Sequence, residues 1–441
     1  MTHTNQLTAS QTHSQVESQT HSQVHSQTGS RTSSRREVLI SGASIAGPAL
    51  AFWLTRHGCA VTVVEKAATP RSGGYPIDVR GTALEVVRRM GLLPRLRDAH
   101  IDTRRITFLD ADGGKVAAIN PHAVAGGVAG EDIEVRRGDL TDALYAAVRD
   151  DVEFLFDDSI HTLDQTGHGV DVTFRGGGSR TFDLVFGADG LHSHTRQLLF
   201  GPEEQFHRYL GYCFAVFTMR NTLDLSHEIM MWNTPGKAAA LYAVESTAEV
   251  HAFLNFARPE APFDAFHSPG VQRELMASVF AGAGWEVPGM LAALRDADDL
   301  FCDMVSQIRM PRWSSGRVAL VGDAAYAPSF LTGQGTSLAL VGAYMLAACL
   351  ADRDITAGLA AYEHSTRAFV TANQGKIGKG EASLFPTTTH ALARRNDMLR
   401  DLSTMPANQG RRAHSALTLP EVTRGGRPDS RPRQRPGPVP R

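Results

Sequence analysis

Val38-Leu-Ile-Ser-Gly-Ala-Ser-Ile-Ala-Gly-Pro-Ala-Leu-Ala-Phe-Trp-Leu-Thr-Arg56 decides the fold of this chain. A short apolar run ends at Ser41, glycines at 42 and 47 bracket a turn, and a helical stretch follows that stops at Gly58. Strand, glycine turn and helix in that order open a dinucleotide-binding α/β unit. Gly42 permits the tight turn and Gly47 lets helix and strand approach closely. Ser44 stands where backbone nears a pyrophosphate; it is small, and its hydroxyl can reach a phosphate. Through Ile45 and Ala46 the turn passes into a helix whose first N–H groups and positive dipole end address an anion. A second β-rich run, Ala60 to Val64, ends at Glu65, 23 positions after Gly42. That is the spacing of an acidic residue that accepts ribose hydroxyls. The motif alone fits FAD and NAD equally.

Working outward, Phe182-Asp-Leu-Val-Phe-Gly-Ala-Asp-Gly190 is an apolar strand ending in the turn Asp189-Gly190, followed by Ser193 and Arg196. Arg317-Val-Ala-Leu-Val-Gly-Asp323 is another strand, ending in Gly322-Asp323. After Pro328 come Gly333-Gln334-Gly335-Thr336 and a long apolar helix, which offers a further set of backbone donors. Between the first two signatures, Arg136-Arg-Gly-Asp-Leu140 opens an amphipathic helix.

Together these segments resemble the class A flavoprotein monooxygenases of the para-hydroxybenzoate hydroxylase fold, from about Glu37 to Pro386. Within that family the chain looks most like actinobacterial hydroxylases and tetracycline-inactivating monooxygenases. The resemblance implies that Gly42, Ser44, Ile45, Ala46 and Gly47 line the FAD pyrophosphate. Glu65 would hold the adenosine ribose, with Lys66 beside it. Arg137 would contact the ribose and phosphate region, and Asp323, after Gly322, the ribityl hydroxyls or phosphate side. Pro328, Gly333, Gln334, Gly335 and Thr336 would form the turn that the isoalloxazine approaches, and Asp189-Gly190 would support both the flavin and a passing nicotinamide cofactor. The segment containing Asp78 would approach the flavin ring, and Arg71 would meet NADPH. Tyr326, Ser337 and Gly342 depart from the family pattern of His, Asn and Asp at those places.

The family's chemistry explains the absence of a nucleophilic triad or zinc ligand set. NADPH or NADH reduces FAD, O₂ reacts, and an electron-rich substrate receives oxygen, while the protein shields and orients. Tyr212, Tyr242 or a nearby histidine is a possible base for a phenolic substrate; no catalytic residue is singled out. Met230, Met231, Trp232, Leu241 and Phe253 are candidates for an apolar pocket. Two readings compete: an FAD-dependent reductase of the same fold, and a non-catalytic flavin- or ligand-binding protein, suggested by Tyr326 and Gly342. A halogenase is a weaker match, since Gly284-Trp-Glu-Val-Pro288 lacks a second tryptophan.

Composition narrows the partners. Over 441 residues, 44 Lys+Arg balance 46 Asp+Glu for a net charge of −2, so no large field attracts nucleic acid or anionic lipid. The longest apolar run, Leu338 to Ala351, is short of the ~20 residues of a bilayer span. Cys59, Cys213, Cys302 and Cys349 are scattered without metal-ligand spacing and read as reduced, cytoplasmic residues. No metal is expected. Ser34-Arg35-Arg36 ahead of the first strand is not taken for an export signal.

The expected fold is α/β, with a discontinuous Rossmann-like FAD-binding domain (37–200 and 301–353), a β-sheet substrate domain (201–300) and a C-terminal helical region (354–411). Residues 101–126 are candidates to join the substrate sheet. Residues 1–36, built of Thr, His, Ser and Gln, and the Arg- and Pro-rich 412–441 are expected to be disordered tails. The expected protein is a monomer or homodimer acting on a small molecule with NAD(P)H and O₂.

Overall fold

The computed structural model describes residues 35–70, 74–121, 132–245, 247–263, 268–377, 384–401 and 414–421. A six-stranded sheet carries the nucleotide signatures. Its strands run in the order Ser314–Ser315, Val318–Leu320, Leu184–Gly187, Glu37–Ser41, Ala60–Glu65, Glu153–Phe156. All neighbours are parallel except the outermost pair, 314–315 with 318–320. This order brings segments far apart in the chain onto adjacent strands, so three turns leave one edge of the sheet together. Helices Ala46–Arg56 and Gly335–Ala351 pack on each other and on the sheet. The second helix is apolar all round and buried nearly throughout, as a core helix must be.

A seven-stranded sheet lies in the order Phe301–Ile308, His207–Arg220, Glu249–Ala257, Lys237–Ala243, Glu228–Thr234, Arg105–Leu109, Lys115–Ile119. Side chains alternate between its faces. Cys213, Ala215, Phe217, Leu241, Leu254 and Met304 pack under helices Pro269–Val279 and Val287–Asp296 through Met276, Phe280, Val287 and Leu294. Tyr212, Phe214, Val216, Ala238 and Val305 turn the other way, toward Tyr75, Leu331 and Phe385.

Several expectations need correction. The strand Phe301–Ile308, assigned from sequence to the nucleotide domain, pairs with His207–Arg220 in the large sheet, because Phe301, Asp303 and Val305 continue that sheet's alternation. Trp232 and Leu241 belong to the core beneath the helices, with Met230 packed against it, and Met231 lies against a cluster containing Leu399; of the pocket candidates, Phe253 faces Tyr75. The N-terminal tail gives up two residues. The Arg36 carbonyl accepts the Ala60 N–H while its guanidinium donates to Leu350 O, and Arg35 donates to the Gly58 carbonyl. The C-terminal tail gives up His414–Glu421: Leu419 is buried, Thr82 donates to Leu417 O, and Arg89 and Tyr344 both donate to Pro420 O. Two leucines and a histidine anchor this stretch, and the composition of the residues after it hides them. The remainder of both tails lies outside the described residues.

Tyr326 and Gly342 prove to be one feature. The Tyr326 ring is buried against Trp313, 4.6 Å between centroids, and its hydroxyl pairs with that of Tyr362 at 2.9 Å. A Cβ on Gly342 would sit 1.8 Å from the Tyr326 hydroxyl oxygen. Gly342→Ala is therefore expected to destabilise by about 1–3 kcal/mol through overpacking. The double variant with Tyr326→Phe should be less damaging than the sum of the two singles, since the colliding oxygen is gone. Denaturant titration of the four proteins measures this, and strict additivity would show the pair is not in contact.

Candidate functional site

Three turns meet at the carboxyl ends of the parallel strands. The first is tied down from both sides: Gly42 N–H donates to Val64 O at 2.8 Å, and Ala43 N–H donates to Glu65 Oε2 at 2.8 Å. The other Glu65 oxygen accepts from Ala67 N–H at 2.9 Å. Each carboxylate oxygen keeps a lone pair for a hydroxyl donor. Gly42 has φ +107°, and a Cβ there would lie 2.5 Å from Ala188 O. At Gly47 a Cβ would lie 1.9 Å from Gly42 O. Ile45, which precedes the helix Ala46–Arg56, provides no side-chain cap, so the first helical N–H groups remain open. Lys66 is exposed beside Glu65.

The second turn is Asp189-Gly190. Asp189 accepts from Ser193 Oγ, Thr195 N–H and Thr195 Oγ1, so its carboxylate fixes the turn into helix His194–Phe200. Gly190 has φ +83° and nothing near the place of a Cβ. Behind it His192 bridges Glu203 at 2.7 Å and Asp303 at 3.1 Å. With a carboxylate on each ring nitrogen, the ring is held as the imidazolium, its pKa raised to about 10 by those hydrogen bonds. Asp303 belongs to the large sheet and Glu203 to the segment after the turn, so this ion cluster, with the buried Arg196 on Glu203, ties the two together.

The third turn, Gly322-Asp323, abuts the first: a Cβ on Gly322 would lie 3.0 Å from Ala46 Cβ. Burial pushes the Asp323 carboxyl up, opposed by the Arg137 charge, and among the described residues nothing donates a hydrogen bond to it. Asp323 Oδ1 lies 3.8 Å from the Cβ position of Gly335, where the long helix begins. Arg137 opens helix Arg137–Ala146 and donates to Ser44 Oγ at 2.8 Å, linking the first turn to Asp323.

The Pro328–Thr336 segment runs across these turns. Gly333 is left-handed at φ +60°, and its Cβ position is 3.1 Å from Asp78 Oδ2. Gln334 is fully buried, and among the described residues its Oε1 has no partner while its Nε2 donates to Gly333 O. Thr336 is buried in the first turn of the helix, and Ser337 Oγ accepts from Arg80 N–H. Ser329 sits at φ +79°, ψ 145°, a conformation that strains any residue but glycine. Its surroundings hold it there: Gln307 Nε2 donates to Pro328 O, and Gln374 Nε2 donates to Tyr326 O and Ala327 O.

Facing this segment is a wall of rings. Phe214 lies 4.6 Å from Phe330 and 5.7 Å from Phe301, Phe330 lies 6.4 Å from Phe385, and Tyr75 lies 6.3 Å from both Phe253 and Phe301. Phe301 and Phe330 are 37% and 41% exposed although Phe214 and Phe385 beside them are buried, so the wall presents open aromatic surface. The structure thus gathers the sequence-assigned residues of all three turns, with Asp78 and Arg137. Arg71 lies outside the described residues. The sequence reading missed Gln307, Gln374, Ser329 and the His192 cluster, while Tyr75 lies in the 72–80 segment expected to approach the flavin; the only signal for the missed residues was proximity to the motifs.

The geometry fits an extended dinucleotide: glycine cradles that a Cβ would fill, open helix N-termini, an unpartnered buried amide oxygen and an undonated carboxylate. The chain belongs to the FAD-binding domain family, whose model matches residues 35–374, and within it to the flavin-dependent monooxygenases. An uncharacterised protein of Mycobacterium tuberculosis is 45% identical over 346 residues, covering 77% of this chain and 92% of that protein. A flavin-dependent monooxygenase of Legionella longbeachae is 34% identical, covering 77% of this chain and 87% of its own. The crystal structure of tetracycline destructase Tet(55) superposes with a TM-score of 0.76 at 33% identity, over 88% of this chain and 99% of that one.

Proposed function

We propose that this protein uses NADPH or NADH and O₂ to hydroxylate an aromatic or polyketide-like small molecule, in antibiotic modification or secondary metabolism. The observation that carries the reading is the open aromatic wall, Phe214, Phe301 and Phe330, set against the Pro328–Thr336 segment. A planar substrate lies on such a wall by ring stacking and apolar burial, and the same rings exclude water.

In this reading the turn Gly42 to Gly47 and the open helix start cradle the pyrophosphate, Ser44 and Arg137 reinforce it, and Glu65 takes the adenosine ribose. Asp323 accepts ribityl hydroxyls, the Gly333–Thr336 backbone and Gln334 Oε1 meet the ring's polar edge, and Gly190 leaves room for close approach. FAD, when bound, supplies the redox chemistry that activates oxygen. Neither tyrosine suggested as a base is suited to accept a proton. Tyr212 donates its own to Phe385 O, and burial with Glu134 nearby holds Tyr242 protonated far above neutrality. Tyr326 and Gly342 fill one another inside the core, so they give no ground for a non-catalytic reading. All four cysteines are free and buried, which supports a cytoplasmic location.

The test is a screen of NADPH and NADH oxidation with phenols and fused-ring polyketides, tetracyclines included, under isotopically heavy oxygen gas with mass spectrometry of products. Substrate-stimulated oxidation with one heavy oxygen in the product is the expected result. Double-bond reduction without oxygen demand would instead establish the reductase reading.

A further inference from the structure

One ionisable cluster near the site has no part in that chemistry. Strands Pro76–Val79 and Ile133–Arg136 form an antiparallel ladder in which Asp78 is directly opposite Glu134. The alternate residues Val79, Ile133 and Val135 are buried in the core, so both acids project from the other face. Side chains so paired stand about 4.5–5.5 Å apart at Cβ. Asp78 Oδ1 accepts from Arg80 Nη2 at 2.7 Å, and its Oδ2 overhangs the Gly333 turn. Glu134 Oε2 accepts from Thr103 Oγ1 at 3.2 Å, and the Thr103 hydroxyl meets that of Tyr242 at 2.5 Å. Tyr242 is buried on the large sheet and also hydrogen-bonds Glu134.

We propose that Glu134 is a positioning residue for Asp78: the two carboxyl groups share one proton, and Glu134 thereby sets the charge held beside the Gly333 turn. This rests on the reading that the turn receives the flavin. Two like charges across one ladder cannot both ionise cheaply, and one arginine balances one carboxylate. Arg80 is already paired with Asp78, which leaves Glu134 to keep the proton.

The surrounding groups agree. Burial and the Asp78 charge push the Glu134 carboxyl up to about 7, while hydrogen bonds from Tyr242 and Thr103 and the Arg80 charge pull it down. Asp132, just ahead of the neighbouring strand, adds negative charge to Asp78. Arg136, two residues along, is engaged by Glu245 at 3.6 Å. His100 Nδ1 lies within 3.2 Å of the Glu134 backbone N–H and so touches the main chain, not the carboxyl. Lys376 and His414 approach from the Arg80 side: burial and that guanidinium lower Lys376 to about 8, so it still carries most of its charge at neutral pH, while burial, Lys376 and Arg80 lower His414 to about 3, so it is neutral there.

FAD is anionic, so a second negative charge at this place weakens its binding. FAD dissociation from the holoprotein, measured from about pH 5.5 to about 8.5, should increase roughly two- to tenfold, as when binding moves a neighbouring acid's pKa by about 0.3–1 unit. Glu134→Gln should flatten that profile. Tyr242→Phe removes a hydrogen bond that favours the ionised acid, so it should move the transition to higher pH. The FAD-free fold supplies a readout independent of the flavin. An acid raised from 4.5 to about 7 on folding withdraws stability as pH rises through that interval, and Glu134→Gln should remove that contribution, leaving above about pH 6.5 the fall that the raised His192 imposes on both proteins. Profiles in which Glu134→Gln matches the wild type, or in which Tyr242→Phe causes no shift, would overturn the proposal. Wild-type protein that binds no FAD at any pH would overturn the flavin reading beneath it, while the stability slope would still report on the shared proton.

Discussion

Gly47→Ala is expected to give a protein that retains no flavin and unfolds well below the wild type. The added carbon would lie 1.9 Å from the Gly42 carbonyl oxygen, a backbone atom with no rotamer to change. Relief requires the turn to open, yet the turn is pinned by Val64 O and Glu65. The cost belongs at or beyond the upper end of the about 1–3 kcal/mol typical of overpacking. Gly91→Ala, at φ +78° and outside the site, is the matched control. Its Cβ would meet nothing within 4 Å, so it incurs only the left-handed backbone penalty, about 1–2 kcal/mol. Equal damage from the two substitutions, read by thermal unfolding and flavin absorbance, would show that the first turn is looser than described.

Asp323→Ala should weaken FAD binding roughly ten- to hundredfold, the equivalent of losing about 1.5–3 kcal/mol of hydrogen bonding to a charged group. The same change should leave the FAD-free protein as stable as before or slightly more so. In the absence of ligand the carboxylate is half-buried, is pushed toward protonation by its partial burial, and accepts no hydrogen bond from the described residues, so its removal relieves part of a desolvation cost. Asp323→Asn, which retains one acceptor oxygen, should fall between. Fluorescence titration of flavin against denaturant stability separates the two effects; lost stability with unchanged affinity would reassign Asp323 to the fold.

The glycine turn, the Glu65 spacing and the two Gly-Asp-type turns were legible in sequence because each depends on backbone conformations that few residues permit. Their convergence was legible only through the family resemblance, since strand order is a property of the sheet and not of any one segment. Phe301–Ile308 was misassigned because its eight residues read equally well as the start of the returning nucleotide strand. Glu134 carried no signal at all: its importance comes from facing Asp78, and the register of two strands more than fifty residues apart is not written in either. Likewise Tyr326 and Gly342 looked like two separate departures, and only their contact shows them to be a single compensated substitution.

The most direct measurement of the central claim is chromatography of the cofactor released when the purified protein is denatured. The three turns, Glu65 and the open helix starts are built for a flavin that carries an adenosine diphosphate half, so FAD, close to one per chain, is the expected result. Release of FMN, which lacks that half, or of no flavin from protein supplied with FAD, would contradict it.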